Sequence, residues 1–146
     1  MRRAFTLIEL IFVIVIIGLL AAIAVPKFIN LKQHTQANAV VKTAFDAAQQ
    51  AVSAASDKYN LDNDSNFTLK DLVNVTGKGW EWNNNNNECY YTDPVSNKIV
   101  ADIKLDTTNK DVTYSINCLN FADTTTQKYC ERLINNRQTQ IATLPY

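Results

Sequence analysis

Glycine and histidine are scarce in this 146-residue chain: three glycines (Gly18, Gly77, Gly79) and one histidine (His34). Three scattered glycines supply no glycine-rich phosphate loop. The three cysteines, Cys89, Cys118 and Cys130, fall in no CxxC spacing, and with a single histidine the sequence offers no zinc-ligand set. There is no GxSxG, no HExxH, and no serine or cysteine motif beside His34. Acidic pairs can be drawn in any chain of this composition, so they are not a catalytic signal. The sequence therefore reads as a non-enzyme that needs no cofactor. Charge of one sign is also missing: 14 basic residues stand against 14 acidic ones. No Lys/Arg block or nucleic-acid motif occurs, which argues against a nucleic-acid interface.

What is abundant is apolar sequence, and it is concentrated at one end. From Phe5 to Val25 every residue is apolar except Thr6 and Glu9, with Gly18 in the middle. As a helix, such a run reaches about 30 Å, the thickness of a bilayer core. Arg2 and Arg3 ahead of it favour an N-terminus on the cytoplasmic side. A secretory signal peptide has an apolar run of only about 7–15 residues, shorter than this one. A plain one-pass anchor fits the length but leaves Glu9 unexplained. A charge inside a membrane helix costs on the order of 2.5–3.5 kcal/mol.

The string Ala4-Phe5-Thr6-Leu7-Ile8-Glu9-Leu10 resembles the cleavage and methylation signature of type IV prepilins and of the pseudopilins of type II secretion. The resemblance covers roughly Arg3 to Leu31. It implies a short basic leader, residues 1–4, removed by a prepilin peptidase at the Ala4–Phe5 bond, with Ala4 where glycine is usual. It implies N-methylation of the new terminal Phe5 by the same enzyme, and an assembly role for Glu9 at the fifth mature position. Gly18 and Pro26 match the glycine and proline frequent in the family. The implied partners are like subunits in a helical filament and an inner-membrane assembly platform. The implied location is the bacterial inner membrane, with the C-terminal part in the periplasm until the subunit is drawn into a filament. Tip subunits of the secretion pseudopilus often lack this glutamate, so Glu9 suggests a place along the shaft or just under the tip.

Elementary electrostatics supports that role for Glu9. Cleavage at Ala4–Phe5 frees an α-amino group with a pKa of about 8, cationic at neutral pH. One helical turn separates it from Glu9, so the pair can form within a chain or between neighbours. Desolvation offsets much of the attraction of a buried pair. Its use is specificity, because docking that leaves Glu9 unpaired is penalised. Pro26 removes a backbone hydrogen bond to residue 22, and Gly18 weakens a helix by about 1 kcal/mol relative to alanine. Both are candidate helix breaks.

Between Lys27 and Tyr59 there is no glycine or proline. Val41, Phe45, Ala48, Val52, Ala55 and Tyr59 recur at steps of four and three, one face of a helix. The expectation is a rod from Phe5 to Lys58, roughly 80 Å long. Its outer half needs a layer to cover the stripe. The residues after it are the natural cover; a free-standing coiled coil would have a weak, alanine-rich seam.

In that remainder, Asp62-Asn63-Asp64-Ser65-Asn66 has the look of a calcium loop. Phe67 stands where the loop glycine belongs and Val73 where the bidentate glutamate belongs, so an EF-hand is rejected. A short threonine-capped helix is expected over 68–73 and a turn at Gly77–Gly79. Trp80 and Trp82 are read as the edge of a small core, and Asn83 to Asn87 as an exposed loop. Three strands are expected: 89–92, 98–105 with Ile99, Ala101, Ile103 and Leu105 on one face, and 112–118 with Val112, Tyr114, Ile116 and Cys118 on one face. A helix over 124–137 and a tail complete the chain. Cys118 and Cys130 close a short loop whose disulfide would match the C-terminal bridge of many pilins; Cys89–Cys118, across paired strands, is the other possibility.

The reading is an α+β, pilin-like chain. A long N-terminal helix, transmembrane over 5–26 and amphipathic over 27–59, packs on a small antiparallel meander with a short C-terminal helix. Residues 27–146 form the exported domain, with its head at 60–146. The expected function is a structural filament subunit, a pilin or pseudopilin. The alternative is an uncleaved, membrane-anchored binding or adhesion protein.

Overall fold

The structure is a computed structural model that describes residues 5–146, with Pro26, Lys27 and Ile29 described by their backbone alone. Ala4, Arg2 and Arg3 lie outside the described residues. Thr6 opens helix α1, Leu7–Ile29, and its hydroxyl oxygen accepts the Glu9 N–H. Gly18 and Pro26 both lie within α1. One residue, Asn30, separates α1 from helix α2, Leu31–Asn60, and it keeps right-handed backbone angles (φ −86°, ψ −11°). The apolar helix thus passes into a second helix that reaches Asn60.

The buried face of α2 is Ala37, Val40, Val41, Ala44, Ala47, Ala48, Ala51 and Ala55. Of the expected stripe, Val41, Ala48 and Ala55 are on this face, Val52 and Tyr59 are only half-buried, and Phe45 is off it. Phe45 lies at the exposed rim, edge-on to the Tyr114 ring at 6.0 Å. Small side chains in the contact let the sheet come close to the helix axis, and a phenylalanine on that line would hold it off.

The sheet has five antiparallel strands in sequence order: β1 Trp80–Trp82, β2 Glu88–Thr92, β3 Ile99–Asp106, β4 Asp111–Asn117 and β5 Thr139–Pro145. Pairs Ala101↔Ile116, Ile103↔Tyr114 and Leu105↔Val112 carry the inner face onto α2. Ile99, expected inward, is exposed, and Val100 is buried in its place. A bulge explains the exchange. Tyr91 pairs with Ala101 but Thr92 pairs with Ile99, so Val100 is an extra residue and the side-chain alternation reverses there.

The expected short helix is α3, Leu69–Leu72. Thr68 donates its N–H and hydroxyl to the Asp71 carboxylate at 2.9 and 2.7 Å. Helix α4, Thr124–Leu133, starts at Asp123, whose carboxylate accepts the Thr126 N–H at 2.8 Å. It stops four residues before the expected end, where Asn135 and Asn136 both take φ of 58°. The tail after it is not loose. It is β5, paired with β4 from Asp111↔Pro145 to Asn117↔Thr139.

Candidate assembly surface

Among the described residues, nothing buries α1 between Leu7 and Val25. From Leu7 to Val25 the helix is 19 residues, apolar apart from Glu9 and with none buried, about 28 Å in length. A helix that is apolar all round is stable only inside something else, either a bilayer or other helices. Phe5 is exposed just ahead of the Thr6 cap, and Glu9 is exposed one turn further on. Glu9 has no basic partner among the described residues. Its place in the first turn puts its charge at the positive end of the helix dipole. The Ala4–Phe5 bond falls outside the described residues.

At the foot of the head lies an open groove of about 1100 Å³. One wall is the end of α1 and the start of α2, where Phe28 is 68% and Leu31 55% exposed. The opposite wall is the β2–β3 loop, with Val95 76% exposed at its tip. Tyr91 and Phe121 line the interior. The apolar surface of α1 therefore continues into the groove.

Asp93 holds the loop in place and is only 3% exposed. One carboxylate oxygen accepts the Ser96 N–H at 2.9 Å and the Ala122 N–H at 3.3 Å. The other accepts the Gln36 amide at 3.2 Å. Gln36 donates to the Tyr91 hydroxyl as well, also at 3.2 Å. So one buried carboxylate joins α2, the β2–β3 loop and the turn before α4. Gln33, one turn before Gln36 in α2, has its side-chain amide oxygen (Oε1) buried with no hydrogen-bond partner among the described residues.

The disulfide is Cys118–Cys130, with Cα atoms 5.5 Å apart, joining the turn after β4 to α4. The Cys89–Cys118 alternative does not form. Cys89 lies on β2, whose neighbour is β3, and it pairs in register with Ile103. Strand β3 thus stands between Cys89 and the strand leading to Cys118. Cys89 is a buried free thiol, and burial pushes its pKa up to about 12. His34 lies against Tyr129 of α4, their rings tilted at 44° with centroids 3.2 Å apart. Trp80 and Trp82 are half-buried against the core, and the Trp82 indole donates to the Val75 carbonyl at 3.3 Å.

Asp93, Gln33 and Val95 escaped the sequence reading, where Asp93-Pro94 was simply a turn. The available signal was Asp93 followed by Ser96, the spacing of an aspartate that caps its own loop.

Residues 1–25 match a family model described as the prokaryotic N-terminal methylation motif. Two fimbrial proteins of Pseudomonas aeruginosa are each 38% identical over 87 residues, 53% of this chain and 56% of theirs. A type IV narrow pilus major component of Thermus thermophilus is 38% identical over 84 residues, 57% of this chain and 72% of its own length. The chain thus spans little more than half the length of the fimbrial proteins. No solved structure matches. With the apolar rod, the sheet packed on its second half and a relative matched over most of its length, the chain belongs to the type IV pilin family.

Proposed function

We propose that this chain is a structural subunit of a type IV filament, most directly a pilus, and that α1 serves it twice. In the precursor α1 holds the chain in the membrane. After a peptidase cuts between Ala4 and Phe5 and methylates Phe5, α1 packs among the helices of like subunits. The observation that carries this is the complete exposure of Leu7–Val25 beside a folded head. The names of the relatives, pilus and fimbrial proteins, support a pilus over a secretion pseudopilus. Glu9 then pairs with the freed amine of an adjacent subunit and sets the axial register.

Mass spectrometry of the chain from its own cells tests the processing step. The expected mature chain begins at methylated Phe5. A chain that still carries Arg2 and Arg3 would make it a permanently anchored protein instead. The Glu9→Ala variant is expected to insert, be cut and accumulate in the membrane, with surface filaments reduced by about an order of magnitude or more. That loss corresponds to roughly 1.4 kcal/mol per tenfold in the docking step. Undiminished filaments from this variant would refute the pairing role.

A further inference from the structure

We propose that Asn63 is the acceptor of an N-linked saccharide, transferred in one piece from a polyprenyl-diphosphate donor on the outer face of the membrane. The inference rests on the export of the head, which the filament reading above requires. It adds a covalent modification that assembly through α1 does not need.

The chain holds 17 asparagines, and three of them stand two residues before a serine or threonine with no proline between: Asn63-Asp64-Ser65, Asn66-Phe67-Thr68 and Asn74-Val75-Thr76. That spacing is the acceptor sequence for N-glycosylation. Asparagine is spread from Asn30 to Asn136, yet all three acceptor sequences fall within residues 63–76. The pattern therefore marks one segment and not the asparagine-rich composition as a whole. The segment follows the end of α2 that lies away from α1, about 45 Å along the helix axis from Asn30. A saccharide there stands clear of the apolar surface of α1.

The chemistry of transfer selects among the three. The nucleophile is a side-chain amide nitrogen, and its lone pair is delocalised into the neighbouring carbonyl. A transferase has to grip that amide and read the hydroxyl two residues on, so both side chains must be free of the head. Asn66 fails this condition. The Thr68 hydroxyl is committed to the Asp71 carboxylate at 2.7 Å in the cap of α3, and Phe67 is buried in the core. Asn74 fails too, because Val75 is buried and its carbonyl accepts the Trp82 indole N–H at 3.3 Å. Asn63 meets the condition. Asn63 and Ser65 are exposed, and residues 61–68 belong to no helix or strand. Neither side chain has a hydrogen-bond partner among the described residues, and the Asp64 carboxylate between them is held only by the Asn66 N–H at 2.9 Å and the Lys58 ammonium at 3.8 Å, none of it in the core. In the transfer, the bond from C1 of the first sugar to the diphosphate oxygen breaks and C1 bonds to Nδ2 of Asn63. Nδ2 gives up one proton, the lipid diphosphate leaves, and nothing is oxidised or reduced.

Peptide mapping of the full-length chain from its own cells tests the assignment. Cleavage after lysine releases residues 59–70, with Asn63 and Asn66, and residues 71–78, with Asn74. The expected result is a saccharide mass on the first peptide, placed on Asn63 by electron-transfer fragmentation. It is lost completely in Asn63→Gln and in Ser65→Ala and kept in Ser65→Thr, with the melting temperature of the unmodified chain unchanged by the substitutions. A saccharide on Asn66, on Asn74 or on a hydroxyl oxygen, or no added mass on either peptide, would overturn the inference. The N-terminus of the same sample scores the filament reading separately. A chain beginning at methylated Phe5 with Asn63 bare overturns the modification alone. A saccharide on Asn63 of a chain that keeps Arg2 and Arg3 supports the modification and overturns the processing.

Discussion

The Asp93→Ala variant is expected to lose about 3 kcal/mol of stability. The carboxylate accepts three hydrogen bonds, from the Ser96 and Ala122 backbone and from Gln36, and it is almost fully buried. A hydrogen bond to a charged group contributes roughly 1.5–3 kcal/mol, and a donor left unpaired costs about 1–3 kcal/mol. Three such terms summed would overstate the effect. They share one acceptor, two of them are 3.2 Å or longer, and the adjoining groove admits water to the stranded donors. A net of about 3 kcal/mol corresponds to a fall in melting temperature of roughly 12 °C for a domain of this size. Asp93→Asn separates charge from shape. Its remaining oxygen can face Ser96 and Ala122, and Gln36 can turn its own oxygen toward the new amide, so the loss should be only about 1 kcal/mol. The assay is thermal unfolding of the full chain in detergent, followed by circular dichroism. Equal melting points for the Ala and Asn variants, or a loss below about 1 kcal/mol for Ala, would show that the carboxylate is not what holds the loop.

Replacing Cys118 and Cys130 together by serine opens a loop closed over a sequence separation of 12 and should cost about 3 kcal/mol, measured by the same unfolding assay. Cys89, with its thiol pushed up to about 12 by burial, should resist iodoacetamide at pH 8 in the native chain and react once it is unfolded; native labelling would place it at the surface. Backbone N–H groups of Thr68, Asn109 and Thr126 hold the carboxyls of Asp71, Asp106 and Asp123 below the ordinary 3.8. Folded values below unfolded ones mean stability that is present above pH 3.8 and lost as pH falls through the folded values, so the melting temperature should drop below about pH 4. The hydrogen bond from Lys104 to Glu88 raises the lysine above 10.5, which puts the matching loss at the alkaline end, as pH rises through that higher value. A melting temperature that falls between pH 5 and 8 would contradict both assignments.

The parts of the molecule legible in the sequence are those whose physics needs one chain and a period. An apolar run of membrane length declares itself without a partner, and the covered face of α2 follows from steps of three and four. Strands β3 and β4 showed through their alternation. The parts that were not legible depend on what pairs with what. Val100 and Ile99 exchange faces because β2 and β3 slip by one residue, and no local pattern records a slip. Strand β5 was read as a tail because its two large aliphatics, Ile141 and Leu144, are three apart and so lie on opposite faces. Its inward residues are Gln140, Ala142 and Leu144, a weak alternation that β4 completes. Strand β1 is three residues long and exists by pairing with β2. Asp93 looked like any aspartate before a proline, because its burial is created by α2 and by the turn before α4, both distant in sequence.

The two halves of the rod divide the work by side-chain size. In α2 the buried face is mostly alanine, and the bulk facing it comes from the sheet, from Ile103, Val112, Tyr114 and Ile116. Alanine loses almost no side-chain entropy on burial and lets the sheet approach closely, so the head grips the rod with few ordered rotamers on the rod's side. In α1 the relation is reversed: large aliphatics lie on every side and, from Leu7 to Val25, none is buried by the described residues. A head that drew stability from α1 would be disturbed each time that helix exchanged lipid for protein neighbours. Because its packing begins at Ala37 and is closed by the disulfide and the Asp93 network, the head can stay folded through that exchange. Asn30 marks the boundary, between a helix whose partners must change and one whose partner is fixed.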